Sequence, residues 1–126
     1  SHADAQFFLA NNYDNGDGVE QDYAEAAKWY RTAAEQGHAI AQFNLAVAYA
    51  EGEGVEQDNA EAAKWYSAAA ENGYAEAQLA LAVAYAKGEG VEQNMDEAEY
   101  WAEKAVDGGA EMADELLDAI RNLRNS

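Results

Sequence analysis

The sequence predicts an all-α solenoid of seven helices: three 36-residue helix-turn-helix repeats followed by one closing helix. Three observations predict it. Gly-Val-Glu-Gln recurs at 18–21, 54–57 and 90–93. Trp29, Trp65 and Trp101 keep the same 36-residue spacing, and so do Leu9, Leu45 and Leu81. The apolar positions inside each unit fall at helical intervals rather than in alternation. A fixed period of this length is the mark of a stacked repeat array, in which each unit buries its apolar stripe against the next.

The units are residues 2–37, 38–73 and 74–109, with a cap at 110–125, all within one repeat domain spanning 1–126. The first two units agree at 25 of 36 positions and no linker separates them, so the array is continuous rather than three domains. In each unit the first helix carries Ala, Leu, Ala and Tyr on one stripe, as Ala41, Leu45, Ala48 and Tyr49 do. It runs from Ala39 to about Glu51 and ends at Gly52, a residue able to take positive φ. Residues 53–57 form a turn, with Val55 expected to tuck inward as a plug. Asp58 opens the second helix as its N-cap, and Glu61 three residues on completes a capping box. Asp22 with Glu25, and Asn94 with Glu97, repeat the pattern. The second helix sets Ala62, Trp65, Tyr66 and Ala69 on one stripe and stops at Gly73.

Alanine at Ala5, Ala10, Ala26 and Ala33 and their equivalents lets helix axes approach closely, with Trp, Leu and Tyr filling the gaps. The closing segment continues the register of a first helix, with Ala113 and Leu117 where Ala77 and Leu81 stand. Asp114, Asp118 and Arg121 replace Gln78, Ala82 and Tyr85, as expected of a cap whose outer face meets water.

Net charge is −18, from 25 acidic residues against 7 Lys and Arg. Such a surface repels phosphate, so nucleic acid and anionic membranes are poor partners, and basic peptides fit better. Charge kept for solubility is the plainer explanation. No stretch is apolar enough for a membrane helix. There is no cysteine, which removes disulfides and thiolate metal sites, and no proline. No leader sequence precedes the first repeat. Ser1-His2 is the kind of dipeptide a removed tag leaves, so localisation is not read from this end.

The pattern Ala-x-Ala-Gln-x-x-Leu-x-x-x-Tyr-x-x-Gly-x-Gly-Val-x-Gln-Asp, then Ala-x-x-Trp-Tyr-x-x-Ala-Ala-x-x-Gly, resembles the Sel-one-like repeat family, relatives of the tetratricopeptide repeats. The likeness covers residues 3–109, and the cap extends it to about 124. It implies a right-handed alpha-alpha superhelix whose first helices line a concave face. It also implies a binding or adaptor role in signalling, quality control or secretion. Cysteine-rich bacterial members of that family pin each helix pair with a disulfide, whereas this chain must rely on packing. Two departures recur in every unit. Ala10, Ala46 and Ala82 replace a usual Gly, and Glu20, Glu56 and Glu92 replace a frequent Pro. Gly to Ala raises helix propensity by about 1 kcal/mol. Such uniformity points to a consensus or designed array, with a recently duplicated natural one as the alternative. In the third unit Tyr100-Trp101-Ala102 replaces Lys64-Trp65-Tyr66.

Catalytic chemistry finds little support. Beyond Tyr, the hydroxyl residues are Ser1, Ser67, Ser126 and Thr32, and the only histidines, His2 and His38, share one register at the entry of a first helix. That leaves no nucleophile-base pair, and His2 and His38 read as inter-repeat packing or solvent-facing residues. Residues 14–18 look like the start of a calcium loop but lack its first and twelfth ligands. Gly-x-Gly-Val lacks the third Gly and the strand of a dinucleotide site. No cofactor or metal is expected, and the chain is read as a non-enzyme.

Helical repeats usually bind along the first-helix face. By analogy with tetratricopeptide geometry, the binding residues are Phe7 and Asn11 in repeat one. Ile40, Phe43, Val47 and Glu51 follow in repeat two, and Leu79, Val83 and Lys87 in repeat three. Phe7, Ile40, Phe43, Val47, Leu79 and Val83 make an apolar trough where a solvated face would be polar. It is a groove for an extended or helical peptide with basic flanks, or else it is core between closely packed first helices. The partner is a protein or peptide. The array is a monomer, or a weak dimer joined at its N-terminal end through Phe7 or Phe8.

Overall fold

The computed structural model describes residues 2–126. Ser1, the first residue of the predicted domain and part of the Ser1-His2 dipeptide, lies outside the described residues. Among them the chain forms seven α-helices in an all-α superhelix: α1 (His2–Asn15), α2 (Tyr23–Glu35), α3 (Ala39–Glu51), α4 (Asn59–Glu71), α5 (Ala75–Lys87), α6 (Met95–Asp107) and α7 (Ala113–Arg124). Each helix packs chiefly on its neighbours in sequence, and α5 also touches α7.

The helix ends follow from side-chain chemistry. Asp22 accepts from the Glu25 amide, Asp58 from those of Ala60 and Glu61, and Asn94 from that of Glu97. Each satisfies amides that the first helical turn leaves without partners. Gly52 and Gly88, in the left-handed region, end α3 and α5. Alanine dominates the interior: Ala33, Ala41, Ala46, Ala69, Ala77, Ala98 and Ala105 are all fully buried. Their small size brings the axes together, and Leu45, Leu81 and Ile120 are the largest side chains wholly enclosed.

Three contacts join one repeat to the next. At Gly54, a Cβ would stand 2.1 Å from the Tyr23 carbonyl oxygen, and at Gly90 one would stand 2.0 Å from that of Asn59. The inter-helix turn therefore lies directly on the first turn of the preceding repeat's second helix. Second, the buried Gln42 and Gln78 donate from Nε2 to the carbonyls of Ala34 and Ala70, each at 3.1 Å. These are late carbonyls of α2 and α4, which also accept from the Gly37 and Gly73 amides just past each helix, so the glutamine is a second donor. Asn72 Nδ2 donates in turn to Gln42 Oε1 at 3.0 Å, so three helices share one amide. Third, His38 stacks on Phe7 with ring centroids 4.6 Å apart, and Tyr74 meets Phe43 at 5.2 Å.

Several expectations are corrected. Val19 is exposed, and Val55 and Val91 are only half-buried, so the turn valine is not an inward plug. The turn is held instead by its glycine, and Val19, with no earlier repeat beneath it, is the most open. Leu9 is 40% exposed where Leu45 and Leu81 are enclosed, because α1 is covered on one side only. Ala5 is likewise exposed. The closing helix begins at Ala113 rather than 110. Ala110 offers only a methyl group where His38 and Tyr74 offer rings, so nothing anchors a helical turn there, and Met112 swings to φ 71. Arg121 stays exposed on the surface of the cap, as expected, but it is not alone there. It pairs with Glu99 at 3.2 Å and Glu103 at 2.8 Å on α6, and Arg124 joins Asp96 and the same Glu99.

The glycine contact predicts unequal effects of one substitution. Gly18, at φ +74 with open space beside it, should lose roughly 1–2 kcal/mol as Gly18→Ala, the left-handed strain alone. Gly54→Ala adds a collision with backbone and should lose several kcal/mol more, measured by denaturant unfolding. Gln42→Ala should lose about 1–2 kcal/mol by removing its hydrogen bonds to the Ala34 carbonyl and from Asn72. Gln78→Ala should lose less, since Gly108 stands where Asn72 would donate to it.

Candidate functional site

A cavity of about 760 Å³ opens between α3, α4 and α5. Phe43 and Ala50 contribute from α3; Asn59, Ala62, Ala63 and Tyr66 from α4; Glu76, Leu79, Ala80, Val83 and Ala84 from α5. Glu89 of the following turn and Glu111 and Met112 before α7 complete the rim. The space exists because α3 and α5 each pack on α4, with alanines rather than large side chains on its near face. Its volume lies within the roughly 300–1,000 Å³ common for ligand pockets.

A smaller cavity of about 190 Å³ occupies the same place one repeat earlier. Tyr23, Ala26, Ala27, Tyr30, Asn44, Val47, Ala48 and Glu53 line it, each 36 residues before a lining residue of the larger one. The chemistry differs between the two. In the first, Tyr30 Oη donates to Asn11 Oδ1 at 2.7 Å, and Asn44 lies close by. In the second, Val47, Ala50 and Ala80 stand at the positions of Asn11, Asp14 and Asn44. Tyr66 there has ring contact with Phe43 at 5.7 Å and, among the described residues, no hydrogen-bond partner for its hydroxyl.

The residues predicted for binding are distributed as follows. Phe43, Leu79 and Val83 are half-buried and line the larger cavity together. Asn11 and Val47 line the smaller one. Phe7 is half-buried against Tyr30 and His38, while Phe8 is 66% exposed. Ile40, Glu51 and Lys87 are exposed and outside both cavities. His38 caps α3, accepting at Nδ1 from the Ala41 amide, and its Nε2 lies 3.2 Å from Asp4. Tyr66, the α4 alanines, Glu89, Glu111 and Met112 escaped a reading confined to first helices. Their signal was the departure from 36-residue identity at residues 44 and 80.

The sequence model of the Sel1 repeat matches residues 3–38, 39–74 and 75–109, one residue later than the frame used above. Among solved structures, the chain is similar to a Sel1 repeat protein from Oxalobacter formigenes. The two share 40% identity with a TM-score of 0.86, over 88% of this chain and 46% of that one. It is also similar to c5321, a protective antigen present in uropathogenic Escherichia coli strains and displaying an SLR fold. That match has 42% identity and a TM-score of 0.86, over 88% of this chain and 24% of that one. The chain thus spans less than half the length of either. Helicobacter pylori cysteine rich protein B shares the fold, with a TM-score of 0.75 at 23% identity, over 90% of this chain and 92% of that one. No curated protein sequence matches the chain.

The polar first cavity has a consequence at high pH. Burial, with the Asp14 charge second, pushes the Tyr30 hydroxyl up to about 12 from its ordinary 10.0, against a smaller opposing pull from Asn44. The fold thus holds this proton more tightly than the unfolded chain does. The contribution is complete below pH 10 and lost as pH rises from 10 towards 12. Denaturation midpoints should fall across that window, and Tyr30→Phe should flatten the fall.

Proposed function

Because the chain belongs to the Sel1 repeat family, in general a non-catalytic protein-interaction scaffold, we propose that it binds peptide segments of protein partners along its first-helix face. The observation that carries this reading is the open cavity of about 760 Å³ walled by Phe43, Leu79 and Val83. A half-buried apolar patch with solvent access gains free energy by covering what water now touches. The acidic rim and the net charge of −18 favour basic flanks in the ligand. Among the described residues no helix is long and apolar enough to cross a membrane.

A second reading has its own support. Ala10, Ala46 and Ala82, with Glu20, Glu56 and Glu92, repeat two substitutions throughout, as an idealised array without a native ligand would. Panning the immobilised protein against a random peptide library separates the two. A recurring motif with basic residues is the expected result, and its absence favours the array without a ligand. Phe43→Asp with Val83→Asp should keep helical circular dichroism while losing the motif. A collapse of the thermal midpoint in both that double variant and Val83→Asp alone would mark these side chains as core.

A further inference from the structure

The cavity between α3, α4 and α5 supports a narrower assignment, which rests on the peptide-binding reading above. Its walls are apolar, yet every charged group on it is acidic: Glu76, Glu89 and Glu111. All three are exposed, and among the described residues none has a cationic partner or a hydrogen bond from a side chain. The cations of the closing helix, Arg121 and Arg124, are already taken by Glu99, Glu103 and Asp96 on α6. The Tyr66 hydroxyl adds an acceptor without a donor. An acidic occupant would meet three like charges. A purely aliphatic one would leave the three carboxylates unmatched. A basic side chain with a long hydrocarbon stem satisfies both surfaces at once.

We infer that this cavity receives one lysine or arginine side chain of a bound peptide. Its stem lies against Phe43, Leu79 and Val83, and its cation among Glu76, Glu89 and Glu111. The earlier cavity is excluded from this role. It is about 190 Å³, and Asn11 already occupies the Tyr30 hydroxyl.

The rim is completed by an unusual segment. Met112 is the one non-glycine among the described residues with positive φ, at 71, and it is 66% exposed. A regular first helix starting after residue 110 would have avoided that conformation. The irregular turn instead sets Glu111 and Met112 on the cavity edge. Strain kept at a cavity wall rather than relieved by glycine fits a binding role.

The test uses five heptapeptide libraries, randomised except for a central arginine, lysine, citrulline, norleucine or glutamate, passed over the immobilised full chain. Arginine and lysine libraries should be retained about tenfold more than citrulline, which keeps the shape and removes the charge, and this excess should shrink as salt rises. Glu76→Gln with Glu89→Gln and Glu111→Gln should abolish the excess while leaving the thermal midpoint unchanged. Ala80→Asn should do the same by restoring the amide of the earlier cavity. Met112→Gly should raise the thermal midpoint and lower retention together. Retention that ignores the central residue, or an excess that survives the triple glutamine variant, overturns this assignment and leaves peptide binding standing. No retention of any library overturns both.

Discussion

The turn of each later repeat rests on the opening turn of the second helix before it, through Gly54 on Tyr23 and Gly90 on Asn59. No side chain fits between them. This closeness sets how far apart successive units sit, and so how much of each alanine stripe is covered. It also fixes one end of each cavity, since Tyr23 with Glu53, and Asn59 with Glu89, line the two of them. Cohesion and opening therefore arise from the same backbone contact. Gln42 and Gln78 add direction to it, because each glutamine reaches a carbonyl at the end of α2 or α4 only when its first helix enters at a suitable angle.

Much of this was legible in the sequence. A 36-residue period, a glycine after each helix and an Asp or Asn before each second helix depend on local chemistry. Local chemistry recurs wherever the residues recur. Three features were not legible, and each depends on what lies across an interface. Val55 looks like a plug because it is apolar in a polar turn, but the glycine beside it makes the decisive contact. Ala110 keeps the register of a first helix yet lacks the ring that anchors one. Arg121 replaces a tyrosine and reads correctly as a solvent-facing cap residue, but its surface pairing with the Glu99 and Glu103 carboxylates on α6 cannot be read from its own position. The candidate site was half visible: first-helix positions gave Phe43, Leu79 and Val83, while Tyr66 and the 111–112 turn needed three-dimensional packing to join them.

The two cavities show how a repeat array diversifies. The frame residues Ala26 and Ala62, Ala27 and Ala63, and Ala48 and Ala84 are unchanged, so the shape of the recess is inherited. Exchanging Asn44 for Ala80 and Asp14 for Ala50 then replaces amide and carboxylate by methyl. The smaller groups enlarge the recess and leave a tyrosine hydroxyl without its partner. A few surface-facing exchanges thus alter what a recess can hold without disturbing the contacts that stack the repeats.

The predominance of packing between neighbouring helices also governs how the chain reaches its native state. With contacts concentrated between sequentially adjacent helices, little chain entropy is lost before each contact forms, and topologies of this kind fold quickly. The enclosed leucines, Leu45 and Leu81, lie in α3 and α5, whereas Leu9 in α1 stays partly open. Nucleation is therefore most favourable in the middle of the array and spreads outward from there. Amide hydrogen exchange in α1 should accordingly proceed by fraying, well before the central helices open.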